Sequence, residues 1–115
     1  IVIAQIEHIE AIENLEEILD VIGIDGSIIG PYDLSGSLGY PGEFDKDIVK
    51  AALKHYEITC QKLKKPMGIH SIQPDPGKAL QYIKRGYTFL AVGIDMLYLG
   101  QKCRDVLERI KSNRS

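Results

Sequence analysis

Short β-branched apolar runs alternate four times with stretches of helical periodicity, and nothing else in the 115 residues constrains the fold as strongly. Ile1 to Ile6 is almost wholly apolar, the pattern of a strand buried on both faces. A helix is expected from about Glu10 to Val21. Ile12, Leu15, Ile18, Leu19 and Ile22 recur there at three- and four-residue spacing, and Gly23 is a plausible left-handed stop. Asp25 to Ile29 reads as the second strand. Gly30 to Glu43 reads as a long loop rich in Gly, Ser, Pro and Tyr, and loops of that length usually serve a function. Asp45 is a candidate N-cap for a helix reaching about Lys64, with Ile48, Val49, Ala52, Tyr56, Thr59 and Leu63 on one face. Pro66 ends it. Met67 to Ile69 is a short third strand. Asp75-Pro76 supplies a cap and a first-turn proline for a helix to Arg85 that should bury Ala79, Leu80 and Ile83, with Gly86 terminating it. Thr88 to Val92 is the fourth strand, and a last helix runs from about Met96 to Lys111. Ser112 to Ser115 should fray.

Strand–helix units in series imply parallel strands joined by right-handed crossovers. The expected fold is α/β, one domain over residues 1–115 forming half of a (β/α)8 barrel. A small open sheet fits less well, because it would leave runs such as Phe89-Leu90-Ala91-Val92 at an exposed edge. The chain opens directly on a strand-like run, with no Met and no polar leader, and reads as a stretch cut from something longer.

The 44% hydrophobic and 26% charged residues are those of a soluble globular protein. A net charge of −2 gives no electrostatic reason to expect nucleic acid or an anionic membrane as partner. No apolar run has membrane-spanning length, and Glu7 and Glu10 interrupt the first apolar stretch, which argues against a signal peptide. Cys60 and Cys103 lack metal-type spacing and read as reduced thiols of a cytoplasmic protein.

Glu7 and Asp33 carry the most chemistry. Each follows an apolar run, so each sits at the carboxyl end of a strand, where parallel α/β folds place their sites. Two acids there suit either an acid/base pair or a hard divalent ion such as Mg²⁺ or Mn²⁺ that keeps open positions for a bidentate substrate. A structural reading stands beside this: Glu7 caps the following helix, and Asp33 makes an Asx-type turn after Pro31. Gln5 lies two residues before Glu7 and shares its strand face, either as a substrate- or water-binding amide or as a satisfied core amide. Past the Gly30-Pro31 break, the N–H groups of Tyr32 and Asp33 could cradle a carboxylate. His70 and Ser71 end the third strand. His70 is a base, a ligand or a packed rim residue, while His8 and His55 read as loop and helix-surface positions. Asp95 reads as a cap of the last helix. No lysine occurs in the four strands, which argues against a Schiff base on these units. Phosphate-binding, dinucleotide and nucleophile-elbow motifs are absent.

Gln5-Ile6-Glu7, the segment Glu10 to Ile18, and Ile24-Asp25-Gly26-Ser27-Ile28-Ile29-Gly30-Pro31-Tyr32-Asp33-Leu34-Ser35 together resemble the HpcH/HpaI aldolase family, the metal-dependent class II pyruvate aldolases. Lys65-Pro66-Met67-Gly68-Ile69 and Phe89-Leu90-Ala91-Val92-Gly93-Ile94-Asp95 are similar to the family's seventh and eighth strands, so the resemblance covers nearly the whole chain. It implies the last four units of a (β/α)8 barrel. Glu7 and Asp33 match the family's two metal ligands, Gln5 a site amide, and the segment Gly30, Pro31, Tyr32 and Asp33 the backbone that binds the pyruvate carboxylate. The implied reaction is carbon–carbon cleavage or formation between pyruvate and an aldehyde, through an enolate stabilised by Mg²⁺, Mn²⁺ or Co²⁺. The family's catalytic histidine and substrate-binding arginine belong to the first barrel half. Tyr32 replaces a usually small residue, and His70-Ser71 replaces a small residue and proline. The last helix in the family commonly packs on a neighbouring subunit in trimers or hexamers. Here Leu97, Leu99, Val106, Leu107 and Ile110 could do so, or could cover their own barrel. Two other functions stay open: a non-catalytic half-barrel that pairs with another copy, and a citrate-lyase-type lyase acting on CoA thioesters.

Overall fold

A computed structural model describes residues 1–113. Its sheet contains β1 (Ile3–Ile6), β2 (Gly26–Ile29), β3 (Met67–Ser71) and β4 (Phe89–Val92), all parallel and adjacent in chain order. The register pairs Gln5 with Ile28, Ile28 with Gly68, and His70 with Ala91. Because each right-handed crossover steps the same way, the helices fall on one face of the sheet. This winding belongs to a barrel; a doubly wound sheet reverses direction and covers both faces.

The intervening helices are α1 (Ile9–Glu13), α2 (Leu15–Asp20), α3 (Pro31–Ser37), α4 (Asp47–Leu63), α5 (Pro76–Lys84) and α6 (Asp95–Ser112). Ile6, Ile29, Met67 and Ile69 meet Ile12, Leu15, Leu19, Leu34, Ala52, Tyr56 and Cys60 in one core. Tyr56 fastens α4 to the sheet. Its Oη lies 2.9 Å from Ser27 Oγ and 3.1 Å from the carbonyls of Ser27 and Gly68. Beside it, Glu57 is buried, accepts from Tyr87 Oη at 2.9 Å and pairs with Arg85, which stacks over Tyr82 and Tyr87.

Several expectations are corrected. The first strand is covered on one face only: Ile6 is buried while Gln5 is exposed. The first helix breaks at Asn14, whose Nδ2 donates to Glu10 O at 2.8 Å and so competes with the helical ladder. Within the expected loop, Pro31 starts a two-turn helix, its fixed φ being ready-made for a first position. Ser35 and Ser37 hold that helix by donating back to Tyr32 O and Leu34 O at 2.7 and 2.8 Å. Asp45 does not cap α4; it pairs with Lys50, and the cap position is Lys46. Asp75 does cap α5, accepting from Gly77 N at 2.8 Å. The third strand is longer than expected, running to Ser71. Leu80 and Ile83 are exposed rather than buried, because α5 turns Tyr82 toward the core instead. Likewise α6 buries none of its residues and does not cover its own sheet. The Cα radius of gyration is 17.2 Å, against roughly 13 Å for a compact domain near this size. Ser112, expected to fray, is the last residue of α6, while Arg114 and Ser115 of that expected frayed end lie outside the described residues. Among the described residues no helix is long and apolar enough to cross a membrane.

Candidate functional site

Strand alternation decides which side chains reach the bare face of the sheet. Ile6 and Ile29 point into the helical core, so Gln5 and Ile28 point away from it. Glu7, the residue just past β1, lies beside Gln5, and Gln5 Nε2 donates to Glu7 Oε1. That bond restrains the carboxylate and occupies one of its oxygens. Neither acid takes the structural part considered for it. The cap of α1 is His8, whose Nδ1 accepts from Glu10 N at 3.3 Å, and Asp33 lies in the first turn of α3.

Gly30 brings the two acids together. A Cβ built there would lie 2.8 Å from Glu7 Oε1 and 3.4 Å from Asp33 Oδ2. The two oxygens therefore flank one small space that any larger residue would fill. Glu7 is half-buried and Asp33 exposed, so the space opens to solvent and to an incoming ligand. Pro31 has no N–H, and those of Tyr32 and Asp33 precede the first helical bond, which runs from Leu34 N to Gly30 O at 3.0 Å. Neither N–H has a partner among the described residues. Two hard carboxylate oxygens across an open gap are a donor set that fits a divalent ion with free positions. Among the described residues no cluster of three or more His, Cys, Asp or Glu groups forms a closed cage.

A second feature escaped the sequence. A cavity of about 400 Å³ lies at the end of β3, between α4 and α5, with Pro31 and Tyr32 in its wall. His70 lines it, half-buried, and its imidazole has no hydrogen-bond partner among the described residues. Phe44, Leu53 and Tyr82 supply much of its apolar wall. They come from a loop and two helices and share no sequence period, so no local signal joins them. Elsewhere, Asp95 does not cap α6 as expected: the cap position is Ile94, and Asp95 is the first helical residue, its Oδ1 accepting from Met96 N at 2.7 Å. Cys60 and Cys103 are free, the first buried and the second exposed.

A parallel sheet wound in one direction, with paired carboxylates past the carboxyl ends of adjacent strands, defines a barrel-type α/β protein with a metal-compatible mouth. Comparison with known proteins narrows this class. The HpcH/HpaI aldolase/citrate lyase family matches residues 1–100, and the chain belongs to that family. It is 36% identical over 114 residues to a 4-hydroxy-2-oxo-heptane-1,7-dioate aldolase of Shigella flexneri, covering 99% of this chain and 42% of that protein. It is also 36% identical over 113 residues to a 2-keto-3-deoxy-L-rhamnonate aldolase of Escherichia coli, covering 98% of this chain and 42% of that one. The crystal structure of a family member from Burkholderia cenocepacia superposes with a TM-score of 0.87 at 28% identity, over 95% of this chain and 42% of the other. The chain thus spans about two fifths of the length of these relatives.

Proposed function

We propose that this chain is the metal- and keto-acid-binding half of a class II pyruvate aldolase, its four units forming the C-terminal half of one barrel domain. The observation that carries the reading is the convergence of Glu7 and Asp33 on the side-chain-free Gly30. Glu7 and Asp33 would hold a divalent ion (Mg²⁺, Mn²⁺ or Co²⁺), which supplies Lewis-acid polarisation of a bound 2-keto acid. Gln5 orients Glu7 through its side-chain amide. The N–H groups of Tyr32 and Asp33 receive the substrate carboxylate past the Gly30-Pro31 break. Both named relatives act on acids of the kind this reaction requires. In the cleavage direction, the bond between carbons 3 and 4 of a 4-hydroxy-2-keto acid breaks. The hydroxyl loses its proton as an aldehyde leaves, and carbon 3 gains a proton to give pyruvate. The resemblance assigns the proton-transfer histidine to the preceding barrel half, not to these residues.

The same reading makes the protein a homo-oligomer of the cytoplasm. Leu99, Val106, Leu107 and Ile110 form an exposed apolar stripe on α6 that suits packing on a neighbouring subunit, and the free thiols suit a reducing compartment. The test is pyruvate release by the protein carrying this chain, with Mg²⁺ or Mn²⁺ and a 4-hydroxy-2-keto acid. Glu7→Ala and Asp33→Ala should each lower turnover by about 100-fold or more. Undiminished metal-dependent turnover in either variant would overturn the assignment.

A further inference from the structure

The chemistry above leaves His70 without a part, although the sheet carries it close to the two acids. Ile6, Ile29 and Ile69 lie in register, and all three enter the helical core. Strand alternation turns His70, the residue after Ile69 in β3, to the opposite, bare face. Gln5, to which Glu7 is bonded, faces the same side. One residue past the core row stand Glu7, Gly30 and His70, and Gly30 N still donates to Ile6 O at 3.0 Å, so the β1–β2 ladder reaches this row. Neighbouring strands run about 4.8 Å apart, which puts the His70 backbone about 5 Å from Gly30 and about 10 Å from Glu7. On its other side His70 pairs with Ala91. Gly30 has no side chain and Ala91 only a methyl, so neither neighbour fills the space beside the imidazole. The ring is half-buried, and neither nitrogen has a hydrogen-bond partner among the described residues. A histidine packed into the rim would be held by such a partner. Among the described residues His70 also joins no group of three or more His, Cys, Asp or Glu side chains, so it is not a third ligand beside Glu7 and Asp33.

We infer that His70 donates a hydrogen bond to the oxygen on carbon 4 of the substrate, the oxygen that becomes the aldehyde carbonyl on cleavage. The inference rests on the aldolase reading and adds a substrate-contacting residue to that site. The anchors of the keto acid set the direction. Its carboxylate meets the N–H groups of Tyr32 and Asp33 at the start of α3, and its keto oxygen faces Glu7 and Asp33. Carbon 4 lies beyond both anchors, and His70, one strand further on, carries the next polar side chain in the row. As the bond between carbons 3 and 4 breaks, its electron pair passes to the enolate, and the charge left on the carbon 4 oxygen by loss of its proton becomes the second bond of the carbonyl. In the forming direction the same oxygen gains that charge. An imidazole N–H aimed at it offsets the charge and transfers no proton. A neutral imidazole always carries one such donor.

The test uses the protein carrying this chain, with Mg²⁺ or Mn²⁺, and sets cleavage of a 4-hydroxy-2-keto acid against inhibition by pyruvate. Pyruvate has the carboxylate and the keto oxygen but no carbon 4, so it reads the anchors alone. His70→Phe keeps the ring shape and removes both nitrogens. It should lower kcat for cleavage about 10- to 100-fold, the loss expected for one donor to a developing oxyanion, while the Ki of pyruvate stays within about twofold. His70→Gln, which keeps an N–H donor, should regain much of that loss. An unchanged kcat in His70→Phe would overturn the inference and leave the aldolase reading intact. So would a pyruvate Ki that rises in step with the fall in kcat, since that marks damage to the anchors, or a glutamine variant no better than phenylalanine. If the unmodified protein releases no pyruvate from the 4-hydroxy-2-keto acid, the aldolase reading itself fails and takes the role of His70 with it.

Discussion

Replacing Gly30 by alanine should weaken metal binding while leaving the fold in place. The backbone at Gly30, φ −99° and ψ 93°, is open to any L-residue, so the substitution creates no torsional strain. Reduced freedom of the unfolded chain would even favour the variant by about 0.4–1 kcal/mol. The obstacle is steric and local. The new methyl would sit 2.8 Å from Glu7 Oε1 and 3.0 Å from Glu7 Cγ, where comfortable contact is about 3.5–4.0 Å. Asp33 Oδ2, at 3.4 Å, is barely disturbed. Glu7 must therefore retreat by roughly half an ångström or more. Only one of the two carboxylates moves, so the pair loses the spacing that would let both hold one ion.

A displaced ligand or supporting group typically weakens metal affinity about 10- to 100-fold. Mn²⁺ titration followed by water-proton relaxation reads the affinity, and urea unfolding of the same samples reads the fold. The expected outcome is a Kd for Mn²⁺ raised by that factor, with unfolding free energy within about 1 kcal/mol of the parent. Gly36→Ala is the control, since its methyl would meet only Pro41, at 4.0 Å. Unchanged Mn²⁺ affinity in Gly30→Ala would refute the claim that Glu7 and Asp33 share an ion across this gap. Equal losses in both variants would show that the effect is not local.

The cluster around Glu57 and the buried tyrosines give two further outcomes. Arg85→Met leaves the buried Glu57 carboxylate with Tyr87 as its remaining partner and should cost about 1–2 kcal/mol in urea unfolding, below the range for fully buried pairs because half of the Arg85 side chain meets water; a cost under about 0.5 kcal/mol would show the pair to be a surface pair in energetic terms. Burial raises the Tyr56 and Tyr87 hydroxyls well above the usual phenol value of 10.0, and the neighbouring Glu57 carboxylate pushes Tyr87 further the same way. Since the folded state keeps protons that the unfolded state releases, stability should be level below about pH 10 and fall as pH rises beyond it. Tyr87→Phe should make that alkaline decline shallower, and an unchanged slope would contradict the assignment.

Much of this architecture is legible in the sequence because the strands are short, apolar and regularly spaced. Glu7 and Asp33 stand out for the same reason, each being the first acid past such a run. The α3 helix was harder to see, since its residues Pro31 to Ser37 have turn-like composition and no apolar stripe. A first-position proline and two back-bonding serines hold it instead. Glu57 could not be recognised as buried, because its partners Arg85 and Tyr87 lie about 30 residues away and the pattern gives a charged residue no reason to turn inward. The cavity at β3 is tertiary in the same sense. The exposure of Leu80, Ile83 and the α6 stripe runs against periodicity altogether. Those residues have the spacing of a buried face, and nothing within the described residues covers them.

One-way winding separates stability from chemistry residue by residue, and two neighbours in β1 test this directly. Ile6 is 1% exposed and packs into the helical core, whereas Gln5 faces the bare side and contacts Glu7. Ile6→Ala removes a buried side chain whose surroundings can close only in part, so it should cost about 2–5 kcal/mol. Its carbonyl still accepts from Gly30 N at 3.0 Å, which keeps the β1–β2 register and the position of Gly30 beside Glu7. Metal affinity of the folded fraction should therefore persist. Gln5→Ala buries nothing less and should shift stability by no more than about 0.5 kcal/mol. It nevertheless frees the Glu7 carboxylate to rotate, and affinity for Mn²⁺ should fall about tenfold. If the two effects appeared in the opposite pairing, or if both variants lost fold and affinity together, the two faces of the sheet would not be the independent surfaces that the strand alternation makes them.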